Sequence, residues 1–465
     1  MSQEHQSLRV PTRGDSERIL GGPEELAEHF LAACKPPQAR RVGTEQEKIG
    51  LWRSTLQPVS YENGGVRELI ERFARESGTA IREGDVPIAL DRGALQITIE
   101  PGAQLELSGA PLATVHEFRD ELAGHLDETV ERSEELGIVW IGVGFQPQAS
   151  LDDVPWVPKR RYGVMRPYLA GRGTRAHEMM KLTATVQANF DYGSEEEAGR
   201  MMRAAMGVTS IVTAMCANSP IRMGRDEGWA SARAAAWLDT DPDRCGLLPF
   251  VFEPDFGFRR YVEWALDVPM FFLRREGHYH PAGVTFRRFM AEGLMGQRAT
   301  LSDWETHLTT LFPEVRLKHY LEVRGADSGP AWLTLAVPAL WKGILYDAQA
   351  LEATEALTRG LEIGERERLR REVPFAGLSA MAGARRVLDL ARELLAIASG
   401  GLRRQAALDG DGRDETRYLG GLEELVAAGR CPADLVRDAW RGGGLGAVVE
   451  RFRFRAGGSL YSAGE

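Results

Sequence analysis

Four short segments of the chain place acidic and amide side chains two residues apart. The segments are VGTEQEKIGL (42–51), QITIEPGAQLELSG (96–109), LTATVQANFDY (182–192) and VRLKHYLEVRGAD (315–327). Side chains two apart in a β-strand share one face, so each segment predicts a strand with one polar face. The residues on these polar faces are Glu45, Glu47, Gln104, Glu106, Ser108, Thr185, Gln187, Asn189, Tyr320, Glu322 and Arg324, with Glu100 just before the turn of the second segment. If the four strands belong to one sheet, that face is a concavity lined with carboxylates.

The chemistry that suits such a face is the binding of hard cations. Carboxylates packed together repel one another unless cations neutralise them. Clusters of glutamate with amide support suit Mg²⁺ or Mn²⁺, whereas Zn²⁺ would want His or Cys, which this pattern does not offer. The pattern therefore predicts a site for several Mg²⁺ ions and a nucleoside triphosphate. Arg324, beside Glu322, would stabilise a transferring phosphoryl group.

A plainer interpretation treats the four segments as half-solvated strands whose polar sides face water. For any one segment alone this interpretation is adequate. Exposed strand faces usually favour Thr, Lys and mixed charge, however, and the polar-face residues named above are mainly carboxylates and amides with a single arginine. The combined pattern therefore favours a site.

The elements that would position these residues indicate an α+β fold. Residues 178–350 mix strands and helices without a regular strand-helix-strand repeat, which favours an antiparallel sheet over a doubly wound parallel one. Helical spacing is present at 23–34, near 64–76 and at 113–137, and the chain beyond 350 is mostly helical. The predicted organisation is a flexible arm at 1–20, a catalytic domain at 21–350, and a helical region at 351–465 that packs on it.

The composition is that of a soluble globular protein, with 43% hydrophobic and 27% charged residues in a chain of 465. A formal net charge of -10 argues against a broad nucleic-acid surface. No apolar stretch approaches membrane-spanning length, and the N-terminus lacks the apolar core of a secretory signal. Four scattered cysteines make a disulfide scaffold or a structural zinc site improbable. We therefore predict a cytoplasmic enzyme without nucleic-acid or membrane partners.

Common motifs for nucleotide binding and hydrolysis are absent from the sequence. There is no GxxxxGK[ST] phosphate loop. In GVGFQP (142–147), Pro147 stands where a dinucleotide fingerprint needs its third glycine. Neither HExxH nor GxSxG occurs, so metalloprotease and α/β-hydrolase chemistry have no support.

Several further segments carry recognisable patterns in a fixed order. They are GTEQEKIGL (43–51), IEPGAQLELSGAPL (99–112), GVGFQP (142–147), PKRRYGVM (158–165), TATVQANFDYGSE (183–195), ANSP (217–220), LDTDPDRCGLLPFVF (238–252), ALDVPMFF (265–272), WETHLTTLFPEVRLKHYLEVRGAD (304–327) and GILYD (343–347). Together they closely resemble the glutamate–cysteine ligases of the plant and proteobacterial type. The resemblance runs from about residue 23 to about 350 and more loosely beyond.

The resemblance implies a fold related to that of glutamine synthetase, a curved antiparallel sheet that forms a funnel flanked by helices. It also implies a reaction in which ATP phosphorylates the γ-carboxylate of L-glutamate and the amine of L-cysteine attacks the acyl phosphate. ATP would be the co-substrate and Mg²⁺ the cofactor, with Mn²⁺ as a substitute. The expected assembly is a monomer or a homodimer, and the expected pathway is glutathione biosynthesis.

The resemblance further assigns roles to individual residues. The implied metal ligands are Glu45, Glu47, Glu100, Glu106, Glu322 and Gln187, the last because a more distant branch of these ligases has a histidine there. The implied catalytic residues are Arg324, which would steady the phosphoryl group, and Glu106. The implied substrate-binding residues are Arg161, Tyr162, Asn189, Arg233 and Phe271. Arg161 and Arg233 are the implied ligands of the substrate carboxylates, because a guanidinium binds a carboxylate with two parallel hydrogen bonds. The alternative for both arginines is a packing role.

Two departures from the plant pattern bear on function. Phe271 stands where the plant enzymes have a tyrosine near the acceptor amino acid, which keeps open a γ-glutamyl ligase that uses another amine. Residues 278–298 contain no cysteine, so the regulatory disulfide of the plant relatives cannot form there; a Cys216–Cys245 pair is not required by anything in the sequence. Two alternatives from other classes are a binding protein that has lost catalysis and a guanidinium phosphotransferase.

Overall fold

The fold is described by a computed structural model for residues 17–461. The α-helices are α1 (Pro23–Leu31), α2 (Val66–Glu76), α3 (Val115–Glu134), α4 (Arg160–Ala170), α5 (Ala176–Leu182), α6 (Glu195–Met215), α7 (Ala232–Trp237), α8 (Phe258–Asp267), α9 (Phe286–Glu292), α10 (Leu301–Leu308), α11 (Ala331–Leu345), α12 (Ala348–Thr358), α13 (Ile363–Ala376), α14 (Val387–Gln405), α15 (Gly420–Ala427) and α16 (Pro432–Phe452). The strands are β1 (Val42–Trp52), β2 (Thr79–Glu83), β3 (Val86–Asp91), β4 (Gln96–Ile99), β5 (Leu105–Ser108), β6 (Ile138–Ile141), β7 (Thr185–Phe190), β8 (Ile221–Arg222), β9 (Arg225–Asp226), β10 (Cys245–Gly246), β11 (Phe272–Arg275), β12 (His278–Pro281), β13 (Phe312–Pro313), β14 (Val315–Leu317), β15 (Leu321–Asp327), β16 (Met381–Ala382) and β17 (Arg385–Arg386).

One nine-stranded sheet forms the centre of the molecule. Its order is β14-β15-β7-β1-β5-β4-β3-β2, and β6 pairs with the far end of β1. Every pairing within this sheet is antiparallel. The predicted α+β fold with an antiparallel sheet is therefore confirmed, and all four segments that suggested a site contribute strands to this sheet.

The strand register aligns the predicted polar face. Glu45 on β1 lies opposite Gln187 on β7 and Ser108 on β5, while Glu47 lies opposite Glu106. Residues directly opposite on neighbouring strands face the same side of a sheet. The polar side chains of β1, β5 and β7 therefore form rows on one face. Gln104 departs from the prediction: it precedes β5, and its amide donates to the carbonyl of Thr183 at 2.7 Å.

The opposite face of the sheet packs against helices. Gln46 and Lys48 alternate with Glu45 and Glu47 along β1, so their side chains lie on this second face, where both are fully buried. Lys48 Nζ lies 2.8 Å from Nε2 of His125 on α3. Alternating apolar residues, such as Leu105 and Leu107, join the same core. The acidic residues of β1 thus lie on the face of the sheet opposite this core.

Helix α11 links the sheet to the C-terminal helices. Its residues are buried along its whole length, because the sequence AWLTLAVPALWKGIL is apolar on all sides. Lys342 on this helix forms a buried ion pair with Glu415, which also accepts a hydrogen bond from the Val115 amide at 2.7 Å. One hydrophobic core runs from Leu20 to Phe454, across the boundary predicted at residue 350.

The flexible arm predicted at 1–20 lies mostly outside the described residues. The part that is described is attached, since the Leu20 amide donates to the carbonyl of Ala299 at 3.0 Å and Leu20 is buried. Cys216 and Cys245 are both unpaired thiols. Within residues 17–461, no helix is both long and apolar enough to cross a bilayer.

Lys48 supplies a stability prediction. Burial lowers the pKa of Lys48 to about 7 in the folded chain. The unfolded chain holds this proton up to its ordinary pKa of 10.5, so the free energy of unfolding should rise between about pH 7 and pH 10.5. We expect Lys48→Met to stabilise the protein at pH 7 by on the order of 1–3 kcal/mol. Thermal unfolding of both proteins from pH 7 to 10 checks this, and a stability gap that does not shrink as the pH rises would contradict it.

Candidate active site

Three carboxylates meet on the polar face of the sheet. One ligand oxygen each from Glu47, Glu100 and Glu106 lies within 4.8 Å of the other two. The β1–β5 register places Glu47 and Glu106 side by side, and Glu100 follows directly after β4. Gly102 lets the turn after Glu100 approach α5, because a Cβ there would lie 2.0 Å from the Lys181 carbonyl oxygen. We call Glu47, Glu100 and Glu106 the carboxylate trio.

Within residues 17–461 no cation pairs with the trio, since none of its members forms an ion pair of 4 Å or less. Burial and the nearby charges of Glu100 and Glu106 raise the pKa of Glu47 well above its ordinary value. Burial and the charge of Glu100 likewise raise the pKa of Glu106, although Ser108 donates a hydrogen bond to it at 2.5 Å. Glu47 and Glu106 therefore hold protons more strongly than ordinary glutamates do, and a bound cation would be needed to keep the trio charged.

The trio fits a divalent cation that prefers oxygen ligands. Three carboxylates converging on one point are a donor set for Mg²⁺ or Mn²⁺, which take hard oxygen ligands and complete their shell with water or phosphate. Close by on the sheet, Asn189 Oδ1 is buried and has no hydrogen-bond partner among residues 17–461. That oxygen is a further neutral donor on the same face.

Glu45 lies outside the trio and is held by two amides. Gln187 Nε2 donates a hydrogen bond to Glu45 Oε2, and Asn189 Nδ2 donates one to Glu45 Oε1, both at 3.1 Å. Burial, followed by the charges of Glu322 and Glu106, raises the pKa of Glu45 to about 7. This carboxylate therefore changes charge near neutral pH in the absence of added cations.

Glu322 differs from the other four predicted carboxylate ligands because cations already surround it. Arg316 Nη2 lies 2.6 and 2.8 Å from its two oxygens, and Lys318 Nζ lies 3.1 Å away. Arg324 also donates to it. Burial alone would raise the pKa of Glu322, but these three cations outweigh burial and hold it well below the ordinary range. The structure thus does not place Glu322 with the trio.

Arg324 projects from an irregular part of β15. The pairing of β15 with β7 gains an extra residue between Val323 and Ala326, which is a β-bulge; bulges redirect side chains. Arg324 Nη1 donates to Gln187 Oε1 at 2.5 Å as well as to Glu322. The Gln187 amide therefore connects Arg324 to Glu45, and its oxygen is occupied by the guanidinium.

A pocket opens beside Arg324 and has a cationic wall. Arg233, Arg324, Trp237 and Phe312 are among the residues that line it. The Arg324 guanidinium lies 5.8 Å from the Trp237 ring centre and 5.7 Å from that of Phe312. Arg233 is almost fully buried and donates to the Arg324 carbonyl at 2.7 Å. Arg233 and Arg324 thus both line the side of the pocket near the acidic face.

The other predicted substrate-binding residues lie at different depths. Arg161 places its guanidinium 5.7 Å from the Tyr162 ring centre, and its Nε is buried without a partner among residues 17–461. Burial, then the charge of Glu100, raises the pKa of Tyr162 well above its ordinary value, which puts this pair beside the trio.

Phe271 is 2% exposed and does not line the pocket described above. Its ring packs 3.8 Å from the buried Arg244 guanidinium and 6.4 Å from Phe312.

Sequence reasoning missed three residues that shape the site. Arg316 and Lys318 neutralise Glu322. Both precede Tyr320 at even-numbered positions and so continue the alternation of polar residues along this segment. Extending that alternation towards the N-terminus would have found them. Asp327 is fully buried 3.9 Å from Arg233 and accepts hydrogen bonds from Ser219 and Ser231. No sequence pattern singles out Asp327, since its partners come from a distant part of the chain.

Comparison with known proteins identifies the class and then the family. A solved structure of glutamate–cysteine ligase from Francisella tularensis in complex with AMP matches with a TM-score of 0.55 over 88% of this chain and 87% of that chain, at 12% identity, so the two share a fold. This match shows the fold alone, and the ligase class follows from the family match. The model of the family "Glutamate-cysteine ligase family 2" matches residues 41–451. The chain belongs to this family, and the predicted resemblance is confirmed.

Plant relatives are similar over most of the chain. Glutamate–cysteine ligase B, chloroplastic, of Oryza sativa subsp. japonica is 42% identical over 88% of this chain and 82% of its own length. Glutamate–cysteine ligase, chloroplastic, of Arabidopsis thaliana is 42% identical over 90% of this chain and 80% of its own length. Both relatives are named as chloroplastic proteins, which contradicts the predicted cytoplasmic location. That prediction is therefore wrong. The inference failed because a polar N-terminus excludes only a secretory signal and leaves other compartments open.

Proposed function

We propose that this enzyme is a glutamate–cysteine ligase, which joins the γ-carboxylate of L-glutamate to the amine of L-cysteine with ATP as co-substrate, the first step of glutathione biosynthesis. The observation that carries the proposal is the carboxylate trio, which forms no ion pair among residues 17–461, on a sheet face beside a pocket that Arg233 and Arg324 line. An acidic face suits a cation-bound triphosphate, and guanidinium groups suit the carboxylates of an amino acid.

The proposed reaction has two steps. An oxygen of the glutamate γ-carboxylate bonds to the γ-phosphorus of ATP, and the bond from that phosphorus to the β–γ bridging oxygen breaks to release ADP. The cysteine amine then bonds to the acyl carbon, the carbon–oxygen bond to phosphate breaks, and the nitrogen gives up a proton. The first step is needed because a free carboxylate is a poor electrophile and phosphate is a good leaving group.

The cation-binding residues in this proposal are the carboxylate trio, with Glu45 and Asn189 beside it. A bound Mg²⁺ would supply charge neutralisation between the triphosphate and the attacking carboxylate. In this proposal the trio binds the cation and thereby orients the triphosphate, and it gives no proton to the reaction.

Arg324 and Arg233 act on the substrates. Arg324 is oriented by Gln187 and by two aromatic rings, so its charge is fixed before the phosphoryl group moves, which is the condition for effective transition-state stabilisation. Arg233 is proposed to hold a carboxylate of glutamate from the wall of the pocket. Arg161, beside the trio with Tyr162, is the second candidate for that role.

The acceptor amine is the part of the proposal that a direct assay decides. We expect ADP release from ATP, Mg²⁺ and L-glutamate to be fastest with L-cysteine among a panel of amines, with a γ-glutamyl product found by mass spectrometry. Omission of glutamate is the control for uncoupled ATP hydrolysis. A faster rate with a different amine would overturn cysteine as the acceptor, and an absence of turnover with every amine would overturn the ligase proposal.

A further inference from the structure

Two histidines and one glutamate converge at a second place, where three separate elements meet. His29 lies on α1, Glu305 on α10 and His319 in the turn between β14 and β15. One ligand atom from each lies within 4.8 Å of the other two. None of the three belongs to the acidic sheet face.

Two of the three distances within this cluster are close to those around a tetrahedral ion. Glu305 Oε1 lies 3.6 Å from His29 Nε2 and 3.8 Å from His319 Nε2. An ion with bonds of about 2.1 Å holds its ligand atoms about 3.4 Å apart. The two Nε2 atoms are 2.5 Å apart, so they would have to separate by about 0.9 Å. The His319 side chain is 41% exposed and has room to make that shift.

The chemical state of the two imidazoles also suits a metal ion. Burial, then the charges of His319 and Arg18, lowers the pKa of His29 to about 4. Burial, then the charges of Lys318 and Lys35, lowers the pKa of His319. Both imidazoles are therefore neutral near pH 7, which is the form that binds metals.

The Glu305 carboxylate supplies a second, independent observation that points to a bound cation. Glu305 Oε1 is buried and accepts no hydrogen bond from residues 17–461, although it faces both imidazoles. A buried carboxylate oxygen without a partner is costly, and a cation between the three side chains would remove that cost.

We propose that His29, Glu305 and His319 form a binding site for one Zn²⁺ ion, separate from the carboxylate trio. Two imidazoles and one carboxylate are a known zinc ligand set in which water takes the fourth position. The half-exposed His319 leaves that fourth position open to solvent. The ion would connect α1 and α10 to the turn that precedes β15, the strand that carries Glu322 and Arg324.

The site can be tested on the full-length protein with Zn²⁺ itself as the probe. Protein stripped with a chelator is titrated with Zn²⁺ against a chromophoric zinc chelator, with Mg²⁺ in excess to occupy the carboxylate trio. We expect one tight equivalent of Zn²⁺ and a higher thermal unfolding midpoint on binding. Loss of a residue that only hydrogen-bonds to a metal ligand typically lowers the metal affinity by roughly 10- to 100-fold. His319→Gln and Glu305→Gln should therefore each weaken binding by at least that factor.

Two control variants locate the site. His278→Gln removes a histidine from β12, and Glu106→Gln alters the trio; tight Zn²⁺ binding should survive in both. Co²⁺ substituted for Zn²⁺ should give the intense visible absorption of a four-coordinate ion in the native protein and lose it in His319→Gln. An absence of tight binding, binding that survives His319→Gln, or binding that is lost in Glu106→Gln would each overturn the proposal.

Discussion

Glu106→Gln is expected to lower kcat by at least about a hundredfold, which is roughly 2.7 kcal/mol of transition-state stabilisation. The substitution preserves the size of the side chain and removes one of three carboxylate ligands whose oxygens converge within 4.8 Å. The concentration of Mg²⁺ for half-maximal rate should rise as well. Steady-state kinetics across a range of Mg²⁺ concentrations checks both effects.

Stability measurements separate a cation-binding role for Glu106 from a purely structural one. The pKa of Glu106 is raised above its ordinary 4.5 in the folded chain, so the folded chain holds that proton to a higher pH than the unfolded chain does. The stability that this proton gives is present below about pH 4.5 and is lost as the pH rises through the folded pKa. In Mg²⁺-free buffer at pH 7, the variant should therefore be at least as stable as the native enzyme.

Added Mg²⁺ should reverse that order, because it stabilises only a chain that binds it. Glu134→Gln, which changes an exposed carboxylate on α3, is the matched control and should leave both kinetics and stability unchanged. Near-normal turnover by Glu106→Gln would remove Glu106 from the cation site.

Arg324→Ala is expected to lower kcat by about 10²- to 10³-fold while weakening ATP binding by less than about tenfold. Its guanidinium is fixed by Gln187 and by the rings of Trp237 and Phe312, and it would be needed when charge develops on the phosphoryl group. The fold should survive, because Glu322 keeps Arg316 and Lys318 as partners. Single-turnover kinetics and nucleotide titration give the two quantities separately.

Arg324→Lys should recover only part of the lost rate, because an ammonium group cannot reproduce the planar fork of a guanidinium. Arg288→Ala, which removes an exposed arginine on α9, is the matched control and should behave as the native enzyme. Equal losses in turnover and in nucleotide affinity would contradict a role specific to the transition state.

The fold could be predicted from local patterns because each pattern has a short-range cause. Alternation of two in β1, β5, β7 and β15 follows from strand geometry, and it placed Glu45, Glu47 and Gln187 on one face as the register shows. Gln104 broke the pattern because its amide serves the backbone of a neighbouring segment, Thr183, which no local signal reveals.

The charge state of the site could not be predicted in the same way. The sequence ranked Glu322 with four other carboxylates, yet Arg316 and Lys318 lie 2.6 and 3.1 Å from it and leave it ion-paired, while the trio forms no ion pair with any residue from 17 to 461. Phe271 similarly packs on Arg244, and a neighbouring ring, Phe312, reaches the pocket instead. Both outcomes depend on side-chain directions that a motif does not encode.

The sequence by itself determined the family, the antiparallel sheet and the set of acidic residues on its face, because these follow from residue types and their spacing along single segments. Only the tertiary structure decided which carboxylates converge, which are neutralised, and that His29, Glu305 and His319 meet from positions 290 residues apart. The reason is physical: electrostatic energies depend on distances of a few ångströms in space and on burial, and neither is a function of separation along the chain.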